Sequence, residues 1–342
     1  MMLLSRYRYG TVLLFFLLLL CLAGFLSLCW GQMDIPYLHA AASLCHGLGL
    51  PLFSEVSVPG DEEAVLWYIR MPRTAVGLLV GAGLAVSGAV LQGTFRNPLA
   101  DPSIVGVSSG ASVGAILAIA LGLPATSMLA LPACALAGAL LAVGLVVALS
   151  LRHGRIPVMT LLLSGVVVGM LLSAVAAAIL TVLSEQKMQQ YVFWTIGSLD
   201  YRRWEHVLLG IGPILAGSFA MLLLSRHLNV LSLGDTEARA VGMPVNAFRM
   251  VMLSLASLVT AAGVCISGNI GFVGLVVPHM LRLLVGPDHR RLLPLCLLAG
   301  GIFLVFCDSL GRVIFPAAEV RVGIMTAFVG SPYFLYLLRK QK

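Results

Sequence analysis

About ten long apolar stretches run through this chain, and the short segments between them carry nearly all of its charge. That alternation constrains the fold more than any motif does. A bilayer core takes roughly 20 apolar residues per helix, and only helices or closed barrels satisfy their backbone groups inside it. Spans are expected near 11–30, 74–94, 104–122, 125–149, 158–183, 207–225, 249–267, 270–286, 292–315 and 320–338. Composition agrees: the 342 residues are 60% hydrophobic and 10% charged, with a mean hydropathy of +1.02. A soluble domain carries about 25% charged residues. The expected fold class is all-α, a polytopic membrane protein of about ten transmembrane helices, with one domain over 1–342 and little soluble mass.

Arg6 and Arg8 precede an apolar run, as in a signal peptide. The run from Thr11 to Trp30 is long enough to span, and no small-residue cleavage site follows it, so it reads as a retained first span. The net charge of +7 raises the question of nucleic acid, but its placement answers for lipid and topology. With the N-terminus inside, the inner side receives Arg6, Arg8, Arg96, Arg152, Arg155, Arg226, Arg239, Arg249, Arg282, Arg290, Arg291, Arg339, Lys340 and Lys342. Its acids are only Asp101, Asp235, Glu237 and Asp288. The positive-inside rule then places both termini in the cytoplasm. The seven cysteines show no framework spacing; most lie in apolar runs and read as small packing residues.

An internal repeat is visible. "AGLAVSG" at 82–88 aligns with "AGVCISG" at 262–268, which sets Pro98 against Pro278 and Gly106 against Gly286. "LPACALAG" at 131–138 aligns with "LPLCLLAG" at 293–300 in the same order. The repeats begin five spans apart, so a first half of about 1–200 and a second of about 201–342 are expected in opposite orientations. Inverted repeats of this kind are a transporter architecture.

No nucleotide-binding loop exists here. The only lysines are Lys187, Lys340 and Lys342, and none follows a glycine, so a partner chain must bind any ATP used. "GVSSG" at 106–110 matches G-x-S-x-G, but a nucleophile elbow needs a strand before it, and these flanks are membrane helices. His279 is expected in a polar turn, away from Ser108. Gly106, Gly110 and Gly114 recur every four residues with Ala118 and Gly122, a small-residue face for close helix packing. In "FRNPLADP", Pro98 and Pro102 forbid a continuous helix, and Asn97 and Asp101 are suited to freed backbone groups or to capping. The inner segment 225–249 is the longest polar one. Asp235 suits an N-cap, Glu237 the first turn, and Gly242 and Pro244 a stop, giving a helix of about two turns outside the bilayer. Short helices are marginal in water, so this one is expected to dock on something.

Arg70 and Arg73 stand at the outer start of the second span and Arg312 near the outer end of the ninth. Snorkelling or local pairing explains them, Asp308 being four residues before Arg312; docking of an acidic external partner explains them equally. His39 and His46, seven apart in the outer stretch, are a weak metal or haem signal beside the plainer reading of an exposed interfacial helix.

"RMPRTAVGLLVGAGLAVSGAVLQGTFRNPLADPSIVGVSSGASVG", "SGNIGFVGLVVPHMLRLLVGPDHRRLLP" and "AAEVRVGIMTAFVGSPYFLYLLRK" together resemble permeases of the FecCD type, which import iron–siderophore complexes, haem and cobalamin. The resemblance runs from about Tyr68 to the C-terminus. It implies the membrane-spanning permease of an ATP-driven importer in a bacterial inner membrane, working by alternating access. It also implies a homodimer with a path between subunits, two cytoplasmic ATPase chains that hold ATP and Mg, and an external binding protein. This chain would have no catalytic residue, cofactor or metal of its own. Arg70, Arg73 and Arg312 match positions that meet the binding protein. Asp235, Glu237, Ala238, Arg239, Gly242 and Pro244 match the helix that couples to the ATPase. Pro157, Val158, Met159 and Thr160 match the cytoplasmic gate region. The pattern A-E-L-P is broken by Val320 and Arg321, and the long outer loop 31–67 carries "GDEEA", which matches no assigned role. Two rivals stand beside this reading. An ion-coupled secondary transporter also has inverted repeats but usually keeps ionisable groups mid-bilayer. An intramembrane serine protease would use Ser108.

Overall fold

A computed structural model describes residues 6–151, 157–315 and 318–340. Arg152, Arg155 and Lys342 of the inner charge set therefore lie outside the described residues. Every expected span falls on a helix: α1 (Arg6–Cys29), α4 (Met71–Phe95), α5 (Val107–Ala120), α6 (Ala130–Ser150), α7 (Val158–Leu180), α9 (Trp204–Leu223), α12 (Val245–Ser267), α13 (Val273–Val285), α14 (His289–Val313) and α15 (Val322–Lys340). Among the described residues seven helical stretches are long and apolar enough to cross a membrane by themselves, whereas α5 and α13 are shorter apolar helices.

Between the spans lie helices that the hydropathy pattern did not resolve. The outer loop 31–67 folds into α2 (Tyr37–Gly47) and α3 (Gly60–Val65). Acidic Asp61, Glu62 and Glu63 form the first turn of α3, where the helix dipole favours them. This accounts for "GDEEA". Helix α3 then runs through a π-turn at Leu66–Arg70 into α4, as one continuous helix Gly60–Phe95. The widened turn stands directly before Pro72, which has no N–H to give and needs room against the preceding turn. The remaining additions are α8 (Glu185–Ile196) and α10 (Ser225–Leu233), and α11 (Asp235–Ala240) is the short inner helix expected before Gly242.

Helix α4 is the central post. In its apolar window 83% of residues are buried, against 72% for α12 and α14 and 17% for α1 and α7. Its neighbours are α14, α12, α9 and α13. Glycines set these distances: a Cβ on Gly81 would lie 2.2 Å from the Gly300 carbonyl oxygen of α14, and one on Gly88 only 1.9 Å from that of Gly274 in α13. With no hydrophobic drive between helices in lipid, such close approach supplies the packing energy.

The repeat is legible in the packing. Helix α4 lies against α14 while α12, the partner of α4 in the sequence repeat, lies against α6, the partner of α14. The correspondence stops at the ends. Pro98 sits in a loop, but Pro278 is inside α13. Helix α4 continues past Gly88 to Phe95, whereas α12 stops at Ser267 because Gly268 turns the chain at φ +74°. Gly106 and Gly286 share positive φ, yet one precedes α5 and the other ends α13.

Candidate functional site

Polar chemistry gathers at two ends of the bundle, about 30 Å apart along α14 at 1.5 Å per residue. At one end, Arg73 donates from Nε and Nη2 to the Asp308 carboxylate at 2.8 to 3.1 Å. It also pairs with Asp200 at 2.8 Å and Glu319 at 2.7 Å. Asp308 faces Arg312 as well, at 3.2 Å along α14, the spacing expected of an i, i+4 pair. Arg321 approaches Asp200 at 3.9 Å. Three guanidiniums thus meet three carboxylates contributed by α4, α14, the α8–α9 turn and the segment before α15.

Arg70 stands apart from the carboxylates. It donates to the Leu28 and Cys29 carbonyls at 2.7 and 2.6 Å and to that of Met33. Arg312 adds bonds to the Ser27 and Trp30 carbonyls at 3.0 and 2.8 Å. Two arginines therefore cap the C-terminus of α1, where unpaired carbonyls favour cations. A side chain on Gly31 would strike Arg70 Nη2 at 2.7 Å, so glycine there admits the guanidinium.

These contacts are the local pairing that the sequence offered for the three arginines beside docking. Arg70, Arg73 and Arg312 are 4%, 7% and 3% exposed, and their donors face the protein. Sequence could not show this, because the carboxylates of Asp200 and Glu319 and the end of α1 are remote in the chain. Asp308 inside an apolar run was the available signal: a buried acid needs a cation.

At the other end α11 packs on its own chain. Gly234, not Asp235, is its N-cap, at φ +145°, and Asp235 is the first helical residue. Asp235 instead accepts from Arg249 of α12 at 2.7 Å, and Arg249 is only 4% exposed. Ala238 is buried, while Val241 is 72% exposed. Gly242 carries φ +81° and donates to the Arg239 carbonyl, ending the helix before Pro244. A cavity of about 550 Å³ beside it is lined by Arg239, Met243, Pro244, Asn246 and Leu151. The expected two turns over 235–244 are thus one short helix and a glycine stop, preceded by α10, whose Leu228 and Leu231 are buried. Pro157 is the N-cap of α7, with Val158, Met159 and Thr160 in its first turn and Met159 77% exposed.

The remaining candidates resolve locally. A Cβ on Gly110 would meet the Gly138 carbonyl at 2.4 Å, and one on Gly114 that of Cys134 at 2.0 Å, so both glycines face α6. Gly106 serves conformation, at φ +87°. Asp101 accepts from Ser103 N–H and Asn97 from Leu99 N–H, each at 2.9 Å. Ser108 donates to Asn269 at 3.0 Å, across a cavity of about 310 Å³. His279 lies within α13 against Tyr333, not in a turn. His39 pairs with Glu62 at 2.7 Å, and His46 with the Phe53 carbonyl at 3.2 Å. Among the described residues no group of three or more His, Cys, Asp or Glu is placed to hold a metal, and all seven cysteines are free.

Residues 18–340 match the FecCD transport family. A cobalamin import system permease protein, BtuC, of Halobacterium salinarum is 45% identical over 319 residues, covering 91% of this chain and 85% of the relative. A hemin transport system permease protein, HmuU, of Yersinia pestis is 39% identical, covering 81% and 85%. A solved structure described as an inward-facing conformation of a metal-chelate type ABC transporter superposes with a TM-score of 0.85 at 34% identity, covering 97% of this chain and 99% of the other.

Proposed function

The chain belongs to the FecCD transport family and is a membrane-spanning permease subunit of an ABC importer, working with a separate ATPase; from that premise we propose how it assembles and what it carries. Two copies pair along the apolar faces of α7 and α15, where Met159, Met170 and Phe328 are 77%, 68% and 71% exposed. The substrate passes between them by alternating access. It is a metal chelate of the cobalamin, haem or iron–siderophore kind, as the names of the relatives suggest for those proteins. The halves 1–200 and 201–342 act as one domain. The basic end faces the cytoplasm with both termini, which in a bacterium means the inner membrane.

The observation that carries the mechanism is the Asp235–Arg249 pair. A six-residue helix is marginal alone, yet here an ion pair to the buried Arg249, together with buried Ala238, fixes it to the start of α12. Two ATPase chains, each with ATP and Mg, close beneath the dimer and push on Asp235–Pro244. Because α12 packs on α4, the push moves the central post and, through α5, the first turn of α7, where Pro157, Val158, Met159 and Thr160 gate the path. An external binding protein docks at the opposite end. There Arg70, Arg73 and Arg312 hold the docking surface in shape beneath its rim, and contribute contacts only if the ionic cluster opens. Binding-protein affinity of the Arg70→Glu/Arg73→Glu variant tests this: an unchanged affinity removes the arginines from docking.

The short helices α5 and α13 hold corresponding positions in the two halves, and the cavity containing Ser108 and Asn269 lies where they begin. Paired short helices of this kind favour a transport path over a proteolytic centre.

A further inference from the structure

At the cluster end, beside the ionic network, a cavity of about 640 Å³ opens between the α5–α6 turn, α8 and the start of α9. Three guanidiniums line it, those of Arg202, Arg203 and Arg321, against a single carboxylate, Asp200. Asp200 is already engaged by Arg73 at 2.8 Å. Arg321 stacks on the Phe193 ring at 4.1 Å, which holds it at the cavity wall. Arg202 reaches only the Ser198 carbonyl, at 3.3 and 3.4 Å. Neither Arg202 nor Arg203 has a carboxylate within ion-pair distance among the described residues.

Two further lining groups, Trp194 and His206, present N–H donors. Trp194 is 8% exposed and its Nε1–H has no partner. His206 accepts the Arg203 backbone N–H at Nδ1, at 3.2 Å, so its proton sits on Nε2. Burial lowers Arg202 to about 10, which leaves it charged at neutral pH. An unpaired buried donor costs about 1–3 kcal/mol, and guanidiniums bind planar oxyanions with paired N–H groups. Three guanidiniums against one carboxylate already engaged by Arg73 give the cavity a positive balance that suits an anionic ligand.

We infer that this cavity receives an oxyanion of the transported chelate, a carboxylate or a phosphodiester, held by Arg202, Arg203 and Arg321 with Trp194 Nε1–H. The inference rests on the import reading above and narrows its substrate class: a chelate with no acidic oxygen would gain nothing here.

The test uses the complete transporter in vesicles, with its ATPase and binding protein. Paired probes separate the two oxyanion sources: haem against its dimethyl ester for carboxylate, and cyanocobalamin against dicyanocobinamide for phosphodiester. Arg203→Gln with Arg321→Leu should slow uptake of the acidic member of the transported pair roughly ten-fold and leave the uncharged member unchanged. Arg203→Lys, at an exposed position, should retain most of the rate, which separates charge loss from misfolding. If the wild type carries none of the four probes and no ferric siderophore, the chelate reading fails and the site fails with it. If a pair is carried and both members slow equally, or neither slows, the oxyanion site alone is overturned.

Discussion

Asp308 accepts three hydrogen bonds from the guanidinium of Arg73, a residue 235 positions away, with 2% and 8% of the two side chains exposed. The contact joins the central post α4 to α14 at the end where α1 also terminates. Removing Asp308 would leave both Arg73 and Arg312 short of their shared carboxylate. Breaking a buried pair from one side costs about 3–5 kcal/mol. Asp308→Ala should therefore lower thermal stability sharply in detergent. Glu319→Gln, at a partner 27% exposed, should cost about 1 kcal/mol or less. Thermal unfolding followed by size-exclusion recovery compares the two.

Gly88 and Gly274 bring α4 and α13 into backbone contact. A Cβ at Gly88 has no room, so Gly88→Ala should cost about 1–3 kcal/mol through overpacking. A Cβ at Gly144 of α6 would meet nothing within 4 Å, and Gly144→Ala should be neutral or stabilise by about 0.5–1 kcal/mol. Melting temperatures of the two variants, measured side by side, decide whether close approach sets the packing.

Val241 extends from the end of α11 with little protein around it. Val241→Asp should leave folding within about 0.5 kcal/mol of wild type. If the ATPase seats on this knob, ATP-dependent uptake should fall below roughly a tenth, since a buried unpaired carboxylate costs more than 1.4 kcal/mol at an interface. Wild-type uptake with normal dimer recovery would remove α11 from coupling.

Ser108 donates one neutral hydrogen bond, worth about 1 kcal/mol. Ser108→Ala should keep most of the uptake and change no cleavage pattern in membrane fractions. A proteolytic activity lost with this substitution would revive the protease reading.

The positions of the apolar helices were legible from their apolar runs, although α5 and α13 prove shorter than a full crossing. Helices α8 and α10 were not, since each is amphipathic, short and rich in polar residues, and reads as loop by hydropathy. The small-residue face at Gly110 and Gly114 was visible from its spacing. The inner turn was also readable, because Asn97 and Asp101 are residue types that satisfy backbone groups two residues ahead. What sequence missed is pairing at a distance. Arg312 was readable as a partner of Asp308 four residues before it, but only the fold shows that Arg70 and Arg312 meet the last carbonyls of α1. Asp200 and Glu319 looked like ordinary loop acids until the fold set them on Arg73. The repeat was readable in its helical blocks and failed at Pro98 and Pro278, where the two helices end at different depths.

The central claim is that this chain moves its substrate only when a separate ATPase drives it. The direct measurement is uptake of cobalamin and haem into vesicles holding the permease with its binding protein, with and without the ATPase chain. The account predicts accumulation only with the ATPase and ATP, and its loss in Val241→Asp. Accumulation in vesicles lacking the ATPase, driven by a proton or sodium gradient, would contradict it.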